Sequence, residues 1–308
     1  MGTWTGRKVA VLHGGQSSER EVSLKTGAAC AAALRDKGYD VALIDVDREV
    51  AARLREAGAA VAFVALHGRY GEDGCVQGML EAMGIPYTGS GVLASSVGMD
   101  KVMSKLLFRG LGLDVADYRV FPAARAGAIH GADLPFAFPV VVKPACEGSS
   151  VGVSLVKEAA GLAEACREAA RWKGDVIVER YVKGKEVQVA VLDGKALGVI
   201  EVVPANEFYD YAAKYTAGTT QYFYPARISD GEARRLMDAA ETAHRGLGCA
   251  GVTRTDFILT PEGPAYILEV NTLPGMTATS LVPKIAAGNG ISFPDLCERL
   301  LEGASLKA

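Results

Sequence analysis

The chain has 308 residues, a formal net charge of −3, 49% hydrophobic and 22% charged residues, which leaves room for two or three domains with the cores of an ordinary soluble enzyme. Charge so dispersed leaves no basic footprint for nucleic acid, and neither a run of about 18 apolar residues nor a charged-then-apolar leader points to a membrane or to secretion. The six cysteines lack paired spacing and are expected as reduced thiols of a cytoplasmic protein.

Lys8 to Leu12 (KVAVL) is a short apolar run ending in His13-Gly14-Gly15, and Ser18 with Glu21 has the spacing of a capping box for the next helix. Backbone amides at such strand, glycine turn and helix junctions cradle anions, although the full Gly-x-Gly-x-x-Gly dinucleotide signature is missing. Glu19 stands near the helix start, where it either complements the macrodipole or holds an ammonium group. A second unit runs from Val41 to Val46, through a helix to about Gly58, to Val61–Leu66 and then His67-Gly68-Arg69-Tyr70-Gly71-Glu72-Asp73-Gly74. Strands alternating with helices predict a parallel sheet whose ligands lie beyond the carboxyl ends of its strands. His67 falls at that edge, as a ligand contact or as a loop hydrogen-bonding residue. Val76, Met79, Leu80 and Met83 have helical spacing and read as core.

Gly89-Ser90-Gly91 reads as the first interdomain linker. An amphipathic helix with Lys101 and Lys105 follows, then Pro139 to Lys143 (PVVVK), a strand ending in lysine. The segment from Cys146 through Glu147, Gly148, Ser149, Ser150 and Val151 to Gly152 joins it to Val153–Val156, and such small residues suit a loop folding over phosphates. It is not a P-loop, because the Gly-Lys-Ser/Thr ending and the following helix are missing. The run VIVERYV from Val176 is a strand containing Glu179, leading to Lys183-Gly184-Lys185-Glu186. Val187–Leu192, the turn Asp193-Gly194 and Ala196–Val203 form a hairpin. From Ala205 to Pro225 no period holds. Tyr209, Tyr211, Tyr215, Tyr222 and Tyr224 crowd there with Lys214, and their density argues for a lid rather than disorder. Ser229 and Glu232 cap a helix to about Gly248, and a terminal helix begins at Ser292.

Between these helices, Val252–Leu259 and Ala265–Asn271 flank Pro261-Glu262-Gly263-Pro264, a tight reversal between two strands. A reversal symmetric about Glu262 and Gly263 sets Arg254 opposite Asn271 and Asp256 opposite Glu269, with all four side chains on one face. That face is either a solvated sheet surface or a site where cations satisfy the acids. Two carboxylates and an amide oxygen are hard ligands suited to Mg²⁺, so the second reading implies a magnesium nucleotide.

The motifs HGGQSSEREVSL, ALHGRYGEDG, YTGSG with MDK, VVVKPACEGSSVG, FYDYAAKY, TQYFYPA, RTD and LEVNTLPGMT, in this order, resemble the D-alanine-D-alanine ligases of the ATP-grasp superfamily nearly end to end. The resemblance implies an α/β chain with a three-domain ATP-grasp fold. It has an N-terminal open parallel α/β sheet (1–98), a small central α+β domain (99–183) and a C-terminal α+β domain with metal site and lid (184–308). It further implies ATP-dependent joining of two D-alanines through a D-alanyl phosphate for peptidoglycan precursors, two Mg²⁺ ions that Mn²⁺ can replace, a homodimer and a cytoplasmic location. The acceptor is expected to be D-alanine rather than D-lactate, because FYDYAAKY carries Tyr215, which the depsipeptide makers resembling this family lack, and because the lid offers Lys214 as its one cation.

Carried over by position, Asp256, Glu269 and Asn271 match the metal ligands, Lys101 and Lys143 the lysines on ATP phosphates, and Glu186 the ribose carboxylate. Glu147 belongs to the phosphate-covering loop and Glu179 to the adenine edge. Glu19 matches the acid that binds the first D-alanine's ammonium, in a hydrogen-bonded set with Ser149 and Tyr215, and His67 lies near that substrate's carboxylate. Arg254 and the Gly275 amide match groups stabilising the tetrahedral intermediate, while Lys214, Ser280 and Leu281 match the second substrate's pocket. Cys146 departs from the family pattern, where a larger polar residue is expected, and bears on how the loop closes. Rival readings are a ligase making a D-alanyl-D-lactate depsipeptide and a nucleotide-binding module without turnover. A nicotinamide oxidoreductase is disfavoured by the missing glycine fingerprint.

Overall fold

Near-continuous apolar runs suit strands buried on both faces, and KVAVLH and VAFV are such runs. The computed structural model describes residues 2–172, 174–204, 220–277 and 279–307. Within them β1 (Lys8–His13) lies between β2 (Asp40–Asp45) and β3 (Val61–Val64) in a parallel sheet of order β2-β1-β3. Alternation along β1 divides two cores. Val9 and Val11 pack with Cys30 and Leu34 of α1 (Arg20–Asp36), while Ala10 and Leu12 pack with Leu54 and Leu80 from α2 (Val50–Glu56) and α3 (Cys75–Met83).

The first of these cores does not stop at the parallel sheet. It continues into Ala190, Leu192 and Val252 and into Val282, Leu296 and Leu300, so the beginning and the end of the chain share one apolar interior. Two antiparallel sheets complete the architecture. One has the order β4 (Tyr118–Phe121), β7 (Val176–Arg180), β5 (Val140–Pro144), β6 (Ser154–Val156), with α6 (Leu162–Ala169) packed on it. The other has the order β10 (Thr220–Phe223), β9 (Lys195–Pro204), β8 (Lys185–Leu192), β11 (Val252–Leu259), β12 (Ala265–Asn271). The hairpin joining β8 to β9 has Asp193 at φ 51° and Gly194 at φ 78°, the left-handed pair that a tight two-residue turn needs.

The structure departs from the sequence reading at several places. The capping box of Ser18 and Glu21 is absent: Glu19 occupies the N-cap of α1 without a side-chain cap, its N–H donates to Ser17 Oγ at 3.2 Å, and its carboxylate is drawn away to Ser149. The single helix expected after Gly91 is two, α4 (Val92–Met99) and α5 (Lys101–Gly110). Asp100 between them is extended, and its carboxylate accepts from the N–H groups of Val102 and Met103, capping the second helix. Within the stretch expected to lack structure, Thr220–Phe223 forms β10 by pairing with β9. By contrast, α7 (Asp230–Leu247) has the capping box of Ser229 and Glu232 and ends at Gly248 with φ 71°. The helices α8 (Leu281–Gly288) and α9 (Phe293–Glu302) close the chain, the former unread in the sequence.

Candidate active site

The hairpin of β11 and β12 sets the site's geometry. Arg254 pairs with Asn271 and Asp256 with Glu269, the register expected from the turn, but past them the pairing shifts so that Phe257 meets Ile267. This bulge leaves Leu268 as the extra residue, and its side chain faces a cavity of about 450 Å³ between the two antiparallel sheets. Lys101, Lys143, Glu147, Glu179, Glu186 and Asp256 also line that cavity. On the other side of Lys101 and Glu269 lies a second cavity of about 370 Å³ facing the parallel sheet. Its walls include Glu19, His67, Ser149, Arg254, Asn271 and Gly275, with Ser280 and Leu281. Both volumes are in the range of small-molecule sites, and Lys101 and Glu269 form a wall common to the two.

In the larger cavity the charges are buried and paired. Lys143 Nζ lies 2.6 Å from Glu179 Oε1, and Lys105 Nζ lies 2.9 Å from Glu179 Oε2. Burial alone would raise the Glu179 carboxyl, but the two ammonium groups outweigh it and hold it down to about 2. Burial also lowers Lys143, and although Glu179 opposes this, the neighbouring cations Lys105 and Lys101 bring it to about 8. Lys101 is as deeply buried but shifts the other way. Its Nζ is 3.1 Å from Glu269 Oε2 and donates to the Glu147 carbonyl at 2.7 Å, and attraction to Glu269 overcomes the cost of burial. The N–H of Lys101 donates to the Ala145 carbonyl at 2.9 Å, so α5 is tied by backbone and side chain to the loop that follows β5.

In the second cavity Glu19 accepts a hydrogen bond from Ser149 Oγ, which draws the same loop onto α1. Ser149 has φ 51°, an uncommon backbone for serine that aims its hydroxyl at Glu19. A Cβ at Gly68, which has φ 67°, would stand 2.7 Å from Glu19 Oε2 and push the carboxylate aside, and one at Gly148 would stand 3.1 Å from it, so the backbone of two loops approaches this carboxylate closely. His67 is buried, its Nε2 2.9 Å from Thr26 Oγ1 and its Nδ1 3.6 Å from Glu72 Oε1. Arg254 grips Asp256 with both arms, Nε to Oδ1 at 2.7 Å and Nη2 to Oδ2 at 2.8 Å. Asn271 Oδ1 accepts from the Leu273 N–H at 2.9 Å, and Ser280 Oγ accepts from the Thr277 N–H at 3.1 Å.

The family profile described as D-ala D-ala ligase C-terminus matches residues 107–302, and that described as D-ala D-ala ligase N-terminus matches residues 50–90. A D-alanine–D-alanine ligase from Anaeromyxobacter sp. is 74% identical over 308 residues, covering 100% of each chain. The crystal structure of the D-alanine–D-alanine ligase from Bacillus anthracis matches with a TM-score of 0.86 at 36% identity over 96% of each chain. Its complex with ATP matches with a TM-score of 0.82 at 33% identity, again over 96% of each. The chain belongs to the D-alanine–D-alanine ligase family.

The ligase has the ATP-grasp fold of these relatives. Of the binding, catalytic and metal residues expected from its sequence, all but Lys214 and Tyr215 gather on the two cavities or their common wall, and those two lie outside the described residues. Three groups at the site were not expected. Lys105, read only as part of an amphipathic helix, holds Glu179 from behind. Glu72 faces His67 across the second cavity. Lys25 is an exposed cation on that cavity's wall, on the same helix as Val22 and three residues beyond it, and nothing in its spacing from Glu19 marked it. Cys146 is not on either wall: a side chain at Gly174 would stand 3.2 Å from its Sγ, and burial raises its thiol.

Proposed function

We propose that this enzyme uses ATP to join two D-alanines, the nucleotide occupying the cavity between the antiparallel sheets and the amino acids the one facing the parallel sheet. The observation that carries the reading is the common wall of Lys101 and Glu269. A common wall supports this reading because the end of a triphosphate in one cavity would meet a carboxylate held in the other without either leaving its own site. The three units 1–98, 99–183 and 184–308, a homodimer and a cytoplasmic location belong to the same proposal. Among the described residues no helix is long and apolar enough to cross a membrane.

The donors on the hairpin fit magnesium, being two carboxylates and an amide oxygen with no sulfur or imidazole among them. Among the described residues no three His, Cys, Asp or Glu converge as a cluster, so Asp256, Glu269 and Asn271 would share the ions with oxygens from outside the protein. When bound, the metal supplies charge neutralisation at the phosphoryl oxygens. The side chains do the rest. Lys101 and Lys143 position the phosphates, and Glu186 meets the ribose. Glu19 holds the first substrate's ammonium and His67 lies toward its carboxylate. That carboxylate's oxygen attacks the γ-phosphorus and ADP leaves, giving an acyl phosphate. The second substrate, held at Ser280 and Leu281, attacks the acyl carbon with its free amine. Arg254 and the Gly275 N–H donate to the resulting oxyanion, and expulsion of phosphate, with loss of one amine proton to the phosphate or to water, completes the amide.

Incubation with ATP and D-alanine should release phosphate in step with dipeptide. A binding module would release none. With D-alanine and D-lactate at equal concentrations, dipeptide should dominate at pH 7 and more so as pH rises, because only the deprotonated amine attacks. Depsipeptide as the main product at pH 7 would overturn the choice of acceptor and leave the ligase reading intact. A tenfold preference needs only about 1.4 kcal/mol, within the reach of one charge contact.

Nucleotide affinity should also depend on pH through Lys143. The ammonium form attracts phosphate, and the lowered value of about 8 means that this form is present below that pH and is lost as pH rises through it. Titration calorimetry of ATP between pH 6.5 and 9.5 should show affinity falling across the upper half of that range. Affinity constant to pH 9.5 would remove Lys143 from the phosphate contacts.

A further inference from the structure

Lys101 and Lys105 sit one turn apart on α5 and send their ammonium groups to different carboxylates. Lys101 faces both cavities, whereas Lys105 is fully buried and lines neither. Its Nζ lies behind Glu179 at 2.9 Å, with the ring of Tyr118 5.5 Å away on another side. Glu179 thus has one ammonium on each oxygen: Lys143 on the cavity side and Lys105 on the core side.

We propose that Lys105 is a positioning residue for the nucleotide, answering the charge of Glu179 from the core so that the Lys143 ammonium keeps a net positive charge for the phosphates. A lysine taken wholly out of water costs several kcal/mol before it gains a partner, and Glu179 already had Lys143 at 2.6 Å. A second buried cation therefore adds little that a neutral side chain would not give to packing. What it changes is the sum: two ammonium groups and one carboxylate leave one positive charge at the rim of the cavity, whereas Lys143 and Glu179 alone would leave none. Register also separates the roles. Glu179 pairs with Val141 and Tyr118, and Lys143 pairs with Ile177, so Lys143 reaches the carboxylate along the diagonal of one sheet face while Lys105 reaches it from the helix. The inference rests on the nucleotide reading above.

The test is the ratio of ATP to adenosine affinity, measured by titration calorimetry for the unaltered protein, K105M, E179Q and K105M/E179Q. The ratio cancels changes at the adenine end that Glu179→Gln or altered packing would cause. In K105M it should fall by about tenfold or more, the size expected for one unit charge within several ångströms of a phosphate. Measured at pH 6.5, where the phosphates of bound ATP favour the Lys143 ammonium even without Glu179, the double substitution restores one net positive charge and should recover most of that fall. A packing role would lower ATP and adenosine binding together and leave the ratio alone. That result would overturn the proposal, as would a double variant with a ratio no better than that of K105M. Should K105M alone not fold, K105M/E179Q still leaves no unpaired buried charge in the cluster beside Lys143. Its ratio should then lie well below that of E179Q, and equal ratios would refute the role of Lys105. Unaltered protein that bound no ATP would instead bring down the nucleotide reading itself.

Discussion

Glu269→Gln should give a folded protein that makes essentially no dipeptide, with kcat down by about 10³-fold or more. Glutamine keeps the shape of the side chain and deletes one charge at the one place where both cavities need it. Glu269 faces Asp256 across the hairpin, pairs with Lys101 at 3.1 Å and forms part of both cavity walls. Without it, at the metal and nucleotide sites proposed above, magnesium would lose a carboxylate that a neutral amide oxygen replaces poorly, and Lys101 would lose its counter-charge beside the phosphates. Thermal unfolding should shift by only a few degrees, since Glu269 is partly exposed and the hairpin's apolar face, Phe257, Ile267 and Val270, is untouched. Turnover close to normal at ordinary Mg²⁺ would refute the metal assignment. Collapse of the fold would show that the carboxylate is structural.

Arg254→Met should reduce kcat by about 10²–10³-fold while changing the KM for ATP much less, because the role proposed for the guanidinium is at the oxyanion and not at the nucleotide. Asp256 fixes the direction of the guanidinium through two hydrogen bonds of 2.7 and 2.8 Å. Removing the arginine also frees Asp256 from a competing cation, so Mg²⁺ affinity should rise as catalysis falls. Arg254→Lys keeps the charge but not the planar fork and should lie between the two in kcat. A methionine variant with kcat within a few-fold of normal would exclude Arg254 from the oxyanion contacts.

How much of this was legible in the sequence depended on whether a residue's environment is local. The hairpin could be read because its turn, strands and alternation lie within 20 contiguous residues, and the register at Arg254, Asp256, Glu269 and Asn271 came out as expected. The bulge at Leu268 could not, since one extra residue leaves no trace in an alternation that is already irregular. Ser229 and Glu232 capped their helix as read, whereas Ser18 and Glu21 did not, because α1 begins one residue later than their spacing assumes, with Glu19 in the N-cap position and its carboxylate bonded to Ser149, 130 residues away. Lys105 was opaque for the same reason: helical spacing puts it on the face of Lys101, but nothing nearby shows that this face meets a buried glutamate on β7. The motifs carried the family assignment; the charge balance needed the fold.

The apolar interior shared by the first strands and the last helices also bears on how the protein is made. Val9, Val11 and Cys30 are completed by Leu296, Cys297 and Leu300. At about 5–20 residues per second, the ribosome takes on the order of tens of seconds to deliver those partners. For that interval the nascent parallel sheet has one face covered by α2 and α3 and the other incomplete. Its β1 is nevertheless already paired on both sides, so the hazard is surface stickiness rather than an open strand edge. A chaperone that shields apolar faces should therefore raise the soluble yield more when synthesis is slowed late in the message than when it is slowed early.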